Sequence, residues 1–169
     1  MGNGAQEMTK KSKGRYLVAV DPDVRRHGVA AFDRFLGKWV AHKPMDPAEL
    51  LNFVTNLDND ISNIDIVVEA SWFIPKSNFR GGNYGSAQKM AARVGLNQGA
   101  GMAIVSLLTG SGFSVTEIKP LSKGNGLLKN SQSGKWTPTG RKFISEESGI
   151  TSRINDDVRD AIYIALTYR

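Results

Sequence analysis

The stretch "YLVAVDPDVRRHGVAAFD", residues 16–33, decides the fold because it places an acid directly after a run of apolar residues. The run Tyr16 to Val20 predicts a buried strand followed by Asp21, and Gly28 to Asp33 predicts a second strand. A third short segment, Lys38 to His42, follows after a few residues. Connections this short favour a meander of neighbouring strands. The sequence therefore predicts a carboxylate at the end of the first strand of a sheet.

Helices and strands alternate after this meander. The segment Asp46 to Glu49 has the residues of a helix start, with Asp46 as N-cap, proline at the first helical position and a glutamate that reaches back. The segment "IDIVVE", Ile64 to Glu69, is mostly apolar, as expected of a central strand covered on both faces. The other predicted elements are a helix end near Leu57, a helix from about Ser86 to Leu108, a strand from Phe113 to Ile118, and helices from Arg141 to Ser148 and from Asn155 to Tyr168. This order predicts an α/β domain with a mixed five-stranded sheet and helices on both faces.

The length of 169 residues suits one domain with its own core. Residues 1–14 are predicted to be a disordered basic tail, and residues 15–169 a single domain. Two stretches rich in glycine, residues 72–85 and 120–140, are predicted to be long loops. No apolar run approaches the roughly 20 residues that span a bilayer, and no secretory signal is recognisable. We therefore expect no membrane association and an intracellular location, such as the cytoplasm.

The sequence contains no cysteine and only two histidines, His27 and His42. Disulfides, thiol nucleophiles and thiolate metal sites are thereby excluded, and a three-imidazole zinc site is excluded as well. Any metal must be held by carboxylates and water. Those ligands favour a hard ion such as Mg²⁺ or Mn²⁺.

The positive charge is concentrated in one part of the chain. The net charge is +6, and ten basic residues lie between Ala70 and Ser145 against a single acid, Glu117. The charge alone is compatible with either a solvated basic face or a polyanionic partner. Aromatic residues that can stack on bases are interleaved with this charge and favour nucleic acid. They are Trp72, Phe73, Phe79, Tyr84 and Trp136.

Four acids are placed so that the fold can bring them together. Asp21 and Glu69 each follow or close an apolar strand, and Asp157 and Asp160 share one face of the last predicted helix. Taken singly, a turn, a solvated strand end or compensation of the helix dipole explains an acid of this kind. Clustered carboxylates repel one another unless cations lie between them. Two divalent ions about 4 Å apart are the standard arrangement for phosphodiester cleavage.

These segments resemble the RuvC-type Holliday-junction resolvases. "VAVDPDVRRHGVAAFD" is similar to the first-strand motif of the family, and "IVVEASW" is similar to its central strand, which ends in a catalytic glutamate. "LNQGAGMAIVS" resembles the following helix, and "DDVRDAIYIAL" resembles the closing helix with its Asp-x-x-Asp-Ala pattern. The resemblance runs from Tyr16 to Tyr168 in the order found in the family.

The resemblance implies a ribonuclease H-like fold and a hydrolase that resolves four-way DNA junctions by paired cuts, leaving 5′-phosphate and 3′-hydroxyl ends. It implies a homodimer and two Mg²⁺ or Mn²⁺ ions in each active site. The glycines of the long helix would permit close approach of the second subunit, although packing against the sheet is an open alternative. The residues expected to be catalytic are Asp21, Glu69, Asp157, Asp160, Lys119 and Lys123, of which the four acids bind metal. The residues expected to contact DNA are Trp72, Phe73, Lys76, Arg80, Lys129, Lys135, Arg141 and Lys142.

The chain departs from the family at two residues, Asp23 and His27, and in the length of one loop. Asp23 replaces the glycine of the family's Asp-Pro-Gly and is expected to point to water, and His27 is a possible phosphate contact. The second loop, residues 120–140, is longer than usual for the family. These departures leave the preferred substrate geometry open.

Other functions remain open at this stage. One is a ribonuclease H-like nuclease that acts on flaps, other branched DNA or RNA, and another is a DNA-binding module without catalysis. An actin-like ATPase is disfavoured because the chain is short and Asp23 lies where a phosphate turn needs glycine. The sequence does not identify the host, the cleavage sequence or a helicase partner.

Overall fold

The computed structural model of the chain describes residues 13–74 and 84–169. Lys76 and Arg80, two of the predicted DNA contacts, lie outside these residues, as does the predicted tail up to residue 12. The strands are β1 (Tyr16–Asp21), β2 (His27–Asp33), β3 (Lys38–Met45), β4 (Ile64–Glu69) and β5 (Ser114–Ile118). The helices are α1 (Pro47–Thr55), α2 (Tyr84–Gly110), α3 (Pro138–Ser148) and α4 (Asp156–Tyr168).

The five strands form one mixed sheet in the order β3-β2-β1-β4-β5. The first three strands pair antiparallel, as the short connections predicted, while β4 is parallel to β1 and to β5. Val20 of β1 pairs with Val68 of β4, so the two strands end side by side. The predicted fold class, an α/β domain with a mixed five-stranded sheet covered on both faces, is confirmed.

Side chains alternate between two cores along the central strands. Val18 and Val20 pack with α1 and α2, whereas Leu17 and Ala19 pack with α3 and α4. Fully buried strands of this kind are expected to be apolar on both faces. Because the alternation has a period of two, residue 21 continues the row that faces α3 and α4.

The helices begin where the sequence places capping residues. The side chain of Asp46 accepts a hydrogen bond from the Glu49 amide and the Glu49 carboxylate accepts one from the Asp46 amide, which completes the predicted capping box. Asn155 caps α4 through the Val158 amide at 2.9 Å. The long helix α2 extends slightly beyond the predicted bounds at both ends. No helix among the described residues is both long and apolar enough to span a membrane.

Two segments that were predicted to be irregular are partly ordered. Gly14, assigned to the tail, is buried, and its amide donates to the carboxylate of Asp65 at 2.9 Å. The loop that follows β5 ends earlier than expected because Thr137 caps α3, which begins at Pro138. This loop, residues 119–137, is called the lysine loop below.

Candidate active site

The first two acids of the site face the same side of the sheet. Asp21 continues the row of Leu17 and Ala19, and Glu69 continues the row of Val67, all of which lie on the α4 side. The parallel pairing of β1 with β4 places the two carboxylates at neighbouring strand ends. This is the arrangement that was predicted from the sequence.

Helix α4 brings the second pair of acids to the same edge. Asp157 and Asp160 are three residues apart and therefore share one face of the helix. Asp160 is only 2 % exposed, and the Glu69 residue is 8 % exposed. Helix α4 packs against β1 and β2 over the core that contains Leu17. Asp160 is thus a buried acid on the side of the sheet that carries Asp21 and Glu69.

Gly28 of β2 permits this close packing. Gly28 is the cross-strand partner of Asp21, and it lies directly against the first turn of α4. A Cβ atom at Gly28 would lie 2.1 Å from the carbonyl oxygen of Asp157 and 2.9 Å from the amide nitrogen of Val158. Distances this short are incompatible with a side chain. The absence of a side chain at this position therefore sets how near α4 approaches the end of β1.

Two lysines of the lysine loop neutralise the acids. Nζ of Lys123 lies 2.8 Å from Oδ1 of Asp160 and 3.4 Å from Oε1 of Glu69. Nζ of Lys129 lies 2.5 Å from Oδ2 of Asp160. The amide of Leu121 also donates to Oε1 of Glu69 at 2.7 Å. A buried carboxylate needs partners of this kind, because an unpaired charge in a protein interior is strongly destabilising.

The pKa shifts indicate that the acids interact. Burial, together with the negative charges of Asp160 and Glu69, raises the pKa of Asp21 well above its usual value, although Lys123 and Lys129 oppose the shift. Burial raises the pKa of Asp157 as well, and the charges of Asp23 and Asp160 add to the effect. Asp21 therefore lies within electrostatic reach of both Glu69 and Asp160.

The surroundings favour the charged form of Lys123, whereas they disfavour the charged form of Asp21. Burial alone would lower the pKa of its ammonium group, but the carboxylates of Asp160 and Glu69 outweigh burial and raise the pKa overall. Lys123 therefore remains charged at neutral pH and serves as an internal cation between the acids. The predicted catalytic lysine at position 119 is exposed.

The lysine loop is held in place by its own packing. The ring of Trp136 is buried in the core beneath α4, and Lys129 forms a β-bridge with this residue. Thr137 Oγ1 donates to the Leu127 carbonyl oxygen at 2.6 Å. Gly140 of α3 lies so close to the backbone of the lysine loop that a Cβ atom there would be 2.0 Å from the Leu128 carbonyl oxygen. These contacts fix the part of the lysine loop that places Lys129 against Asp160.

The donor chemistry of the site suits a divalent cation, although lysines occupy it. Within the described residues, no three acidic or imidazole side chains converge closely enough to form a metal-binding group. Carboxylate oxygens are nevertheless the ligands that Mg²⁺ prefers. Oδ1 of Asp160 is buried and accepts no well-aligned hydrogen bond, even though Nζ of Lys123 is close to it. An under-satisfied carboxylate oxygen and the unfavourable ionisation of Asp21 are both conditions that an inorganic cation would relieve.

The aromatic candidates near Glu69 differ in their surroundings. Trp72 donates from Nε1 to Glu117 at 3.0 Å and lies against Gly101 of α2, where a Cβ atom would be 2.3 Å from the ring. Phe73 is 44 % exposed and contacts Trp72 edge to face with ring centroids 6.0 Å apart. Trp72 is thus a packed residue, and Phe73 is the ring available at the surface.

Four further predicted DNA contacts lie among the described residues. Lys135, Arg141 and Lys142 are exposed on the lysine loop and α3, and Lys142 pairs with Glu146 at 3.6 Å. Lys129, which was expected to contact flanking DNA phosphates, lies instead at Asp160. The glycines of α2 also differ from one another, since Gly101 packs against Trp72 while Gly95 and Gly99 border open space.

Asp23 and His27, the two departures from the family pattern, contact each other. The amide of Asp23 donates to Nδ1 of His27 at 3.3 Å. The imidazole is buried, and its Nε2 atom has no hydrogen-bond partner among the described residues. Burial lowers the pKa of His27, although the charges of Asp23 and Asp46 oppose the shift. A buried neutral ring stabilises the turn between β1 and β2, and it is not placed at the surface where a phosphate would bind.

Comparison with solved structures identifies the architecture. Thermus thermophilus RuvC in complex with a Holliday junction substrate superposes with a TM-score of 0.51 over 90 % of this chain and 90 % of that chain, at 13 % sequence identity. The chain has a RuvC-like fold. A second structure of RuvC-like architecture, that of Thermus thermophilus RuvC, covers 90 % of this chain and 92 % of that chain, with a TM-score of 0.47 and 14 % identity. No protein-family profile and no curated protein sequence matches the chain. The RuvC-like fold is the fold that the resemblance in the sequence implied.

The sequence does not reveal the contacts of three residues at or near the candidate site. Lys129 was assigned to flanking DNA because nothing in its local sequence indicates that the loop turns back to Asp160. Gly28 was noted only as part of a motif, although its place opposite Asp21 in a hairpin could have indicated a close approach. Glu117 was counted as the single acid of a basic region, and it proves to be the partner of Trp72.

Proposed function

We propose that the chain is a metal-dependent endonuclease that resolves four-way DNA junctions. The observation that carries the proposal is the joint placement of Asp21, Glu69 and Asp160 with Lys123 at the strand ends of a RuvC-like sheet. The solved relative is a RuvC bound to a Holliday junction substrate, which supports branched DNA as the ligand. We also propose that residues 15–169 act as a single nuclease domain inside the cell.

The acids of the site would hold the ion. Asp21, Glu69 and Asp160 would bind Mg²⁺ or Mn²⁺, and Asp157 would complete the set from the same helix face. Bound divalent ions would supply activation of water and stabilisation of charge on the phosphate. Two ions per site remain our proposal.

The protein supplies orientation and positive charge. The Leu121 amide holds the Glu69 carboxylate in one orientation, and Gly28 holds α4 against the end of β1. Glu69 and Asp160, which contact Lys123, would hold the ion, and Lys123 would then be available to neutralise charge on the scissile phosphate. Lys119, exposed at the end of β5, is a second basic group for the same phosphate.

The DNA would be held by the exposed residues around this edge. Phe73, next to the strand end that carries Glu69, would stack on or wedge between bases at the junction centre. Trp72 would support Phe73 from behind. Lys135, Arg141 and Lys142 would contact flanking phosphates.

Paired cuts require two active sites, so we propose a homodimer that uses α2. This helix leaves Leu96 59 % exposed and Met102 52 % exposed, and the glycines at positions 95 and 99 border open space. Apolar side chains beside glycines allow two helices to pack closely. The exposed strip on α2 is therefore the surface that we assign to the second subunit.

A DNA-binding module without catalysis is the second candidate. It is favoured by one observation, namely that Lys123 and Lys129 already neutralise the acids and no metal-binding group is present among the described residues. In such a module the acids would serve only to anchor the lysine loop.

Cleavage of a synthetic four-way junction in Mg²⁺ decides between the two candidates. The wild-type protein is expected to cut opposed strands symmetrically, and Asp21→Asn is expected to abolish cutting while junction binding is kept or tightened. Asp58→Asn, in a surface turn, is the matched control and should cut normally. A linear duplex, a flap and an RNA–DNA hybrid tested in parallel reveal a different nuclease preference. Undiminished cutting by Asp21→Asn would show that the assigned site is not the catalytic one. Junction binding without any cutting by the wild type would favour the non-catalytic module.

A further inference from the structure

A basic cavity lies at the N-terminal end of α4, beside Asp157 and Asp160. Its volume is about 470 Å³. It is lined by Arg141, Arg153, Ile154, Asn155, Asp156 and Arg159. Three guanidinium groups therefore surround one cavity that contains a single carboxylate.

That carboxylate is already engaged. Asp156 pairs with Arg159 one turn further along the helix, and the same arginine donates to the Ile154 carbonyl oxygen at 2.8 Å. Arg159 is thereby fixed as one wall of the cavity. Arg141 and Arg153 are exposed, and neither forms an ion pair with any residue of the described chain. The cavity thus presents two uncompensated cations to solvent.

The cavity is adjacent to the candidate active site on the same helix turn. Asp156 and Arg159 occupy one face of α4, and Asp157 and Asp160 occupy the next face, because consecutive residues are about 100° apart around a helix. The width of a helix with its side chains is about 10–12 Å. Successive phosphates of a DNA strand fall within that span, so a strand that crosses the acid pair is able to reach the arginine cavity.

We propose that this cavity binds the phosphodiester backbone of a DNA arm that leaves the active site. The guanidinium of an arginine can contact a phosphate through two parallel hydrogen bonds, which suits backbone recognition. Arg141 and Arg153 contact the phosphates, and Arg159 shapes the cavity between them. The inference rests on the proposed function, and it joins the flanking contact proposed for Arg141 to Arg153 and Arg159 in one defined subsite.

Salt-dependent binding tests the subsite. The probe is a fluorescently labelled four-way junction, and each variant is made in the Asp21→Asn background so that the DNA is not cut. The slope of log K against log salt is negative, and each lost phosphate contact makes it shallower by about 0.9. Arg141→Ala with Arg153→Ala is therefore expected to make the slope shallower by about 2. The affinity is expected to fall about tenfold or more at moderate salt. Arg141→Lys with Arg153→Lys keeps the charge and is expected to keep most of the slope while losing part of the affinity.

The matched control removes the same charge elsewhere. Lys13 lies near the C-terminal end of α4, and Lys43 lies beside α1 on the other face of the sheet. Lys13→Ala with Lys43→Ala is expected to leave the slope close to that of the parent. If both double variants change the slope equally, general charge accounts for the effect and the subsite is overturned.

Three further outcomes distinguish free phosphate from DNA as the ligand, and this inference from the proposed function. If inorganic phosphate raises the Tm of the parent but not of Arg141→Ala with Arg153→Ala, while the junction slope is unchanged, the cavity binds free phosphate and the DNA subsite is overturned. If wild-type protein cuts junctions and the arginine variant binds them like the parent, only this inference fails. If neither wild type nor Asp21→Asn binds branched DNA, the proposed function itself fails.

Discussion

A Cβ atom at Gly28 would lie 2.1 Å from the carbonyl oxygen of Asp157, so the second strand and the last helix meet backbone against backbone. Gly28→Ala must therefore push α4 outward or bend β2. Overpacking of this kind costs about 1–3 kcal/mol. We expect a lower Tm and a loss of junction cleavage, because Asp160 moves away from Asp21. Gly110→Ala, at a position bordering open space, is the control and should keep both properties. Unchanged Tm and activity in Gly28→Ala would contradict this role.

The sequence predicts the acids of the site better than it predicts the lysines. Asp21 and Glu69 lie on strands whose pairing and alternation follow from apolar pattern, so their common face is a consequence of local rules. Lys129 reaches Asp160 through a loop whose path depends on distant packing of Trp136. Loop paths of this kind have no periodicity from which they can be inferred.

The contacts of Trp72 also depend on tertiary packing. Gly95, Gly99 and Gly101 of α2 look alike in sequence, yet of these three only Gly101 is required by a packed ring. The partnership of Trp72 with Glu117 joins two residues 45 positions apart. Contacts that depend on how a helix lies on a sheet are set by tertiary packing, so sequence pattern alone leaves them open.

The raised pKa of Asp21 gives a pH-dependent prediction. A carboxyl whose folded-state pKa is raised stabilises the protein fully below its unfolded-state pKa, and this stability is lost as the pH rises through the folded-state pKa. Asp21→Asn stays neutral at every pH. In metal-free buffer at pH 8 its Tm is therefore expected to exceed that of wild type, by about 2–4 °C for each 1 kcal/mol of repulsion that is relieved in a domain of this size.

Thermal unfolding at several pH values checks this prediction. The difference in Tm between Asp21→Asn and wild type should shrink as the pH falls through the raised pKa of Asp21. Asp65→Asn is the control, because Asp65 pairs with Arg34 at 2.6 Å and its loss should lower the Tm. A Tm of Asp21→Asn at or below that of wild type at pH 8 would show that Asp21 is not electrostatically strained.

Substitutions at Phe73 and Trp72 are expected to affect different properties, DNA binding for Phe73 and thermal stability for Trp72. Phe73→Ala removes an exposed ring and should leave the Tm nearly unchanged while it weakens binding to a four-way junction, by about 1–3 kcal/mol if the ring stacks on a base. Trp72→Ala removes a packed ring and should lower the Tm by several degrees. Melting curves and junction binding are measured for both variants, and equal effects of the two on either property would rule out this division of roles.

The exposed strip of α2 predicts the oligomeric state. Leu96→Glu places a charge where we assign the second subunit, and it should convert a dimer into a monomer in gel filtration with light scattering. Leu127→Glu is the control, since Leu127 is 63 % exposed on the lysine loop. A wild-type protein that is monomeric at micromolar concentration, or a Leu96→Glu variant that stays dimeric, would place the interface elsewhere or remove it.

Lys129 and a divalent ion are expected to compete for Asp160. The ammonium group lies 2.5 Å from Oδ2 of a carboxylate that a bound ion would also need, so the ion must displace it. Lys129→Met removes the competitor and should tighten Mn²⁺ binding, by about tenfold for each 1.4 kcal/mol of ion-pair energy that is lost. Isothermal titration in the absence of DNA measures this directly. Lys135→Met, an exposed lysine of the same loop, should bind Mn²⁺ as wild type does. Equal Mn²⁺ affinity in all three proteins would mean that the ion does not bind at Asp160, and the metal assignment would have to move to other residues.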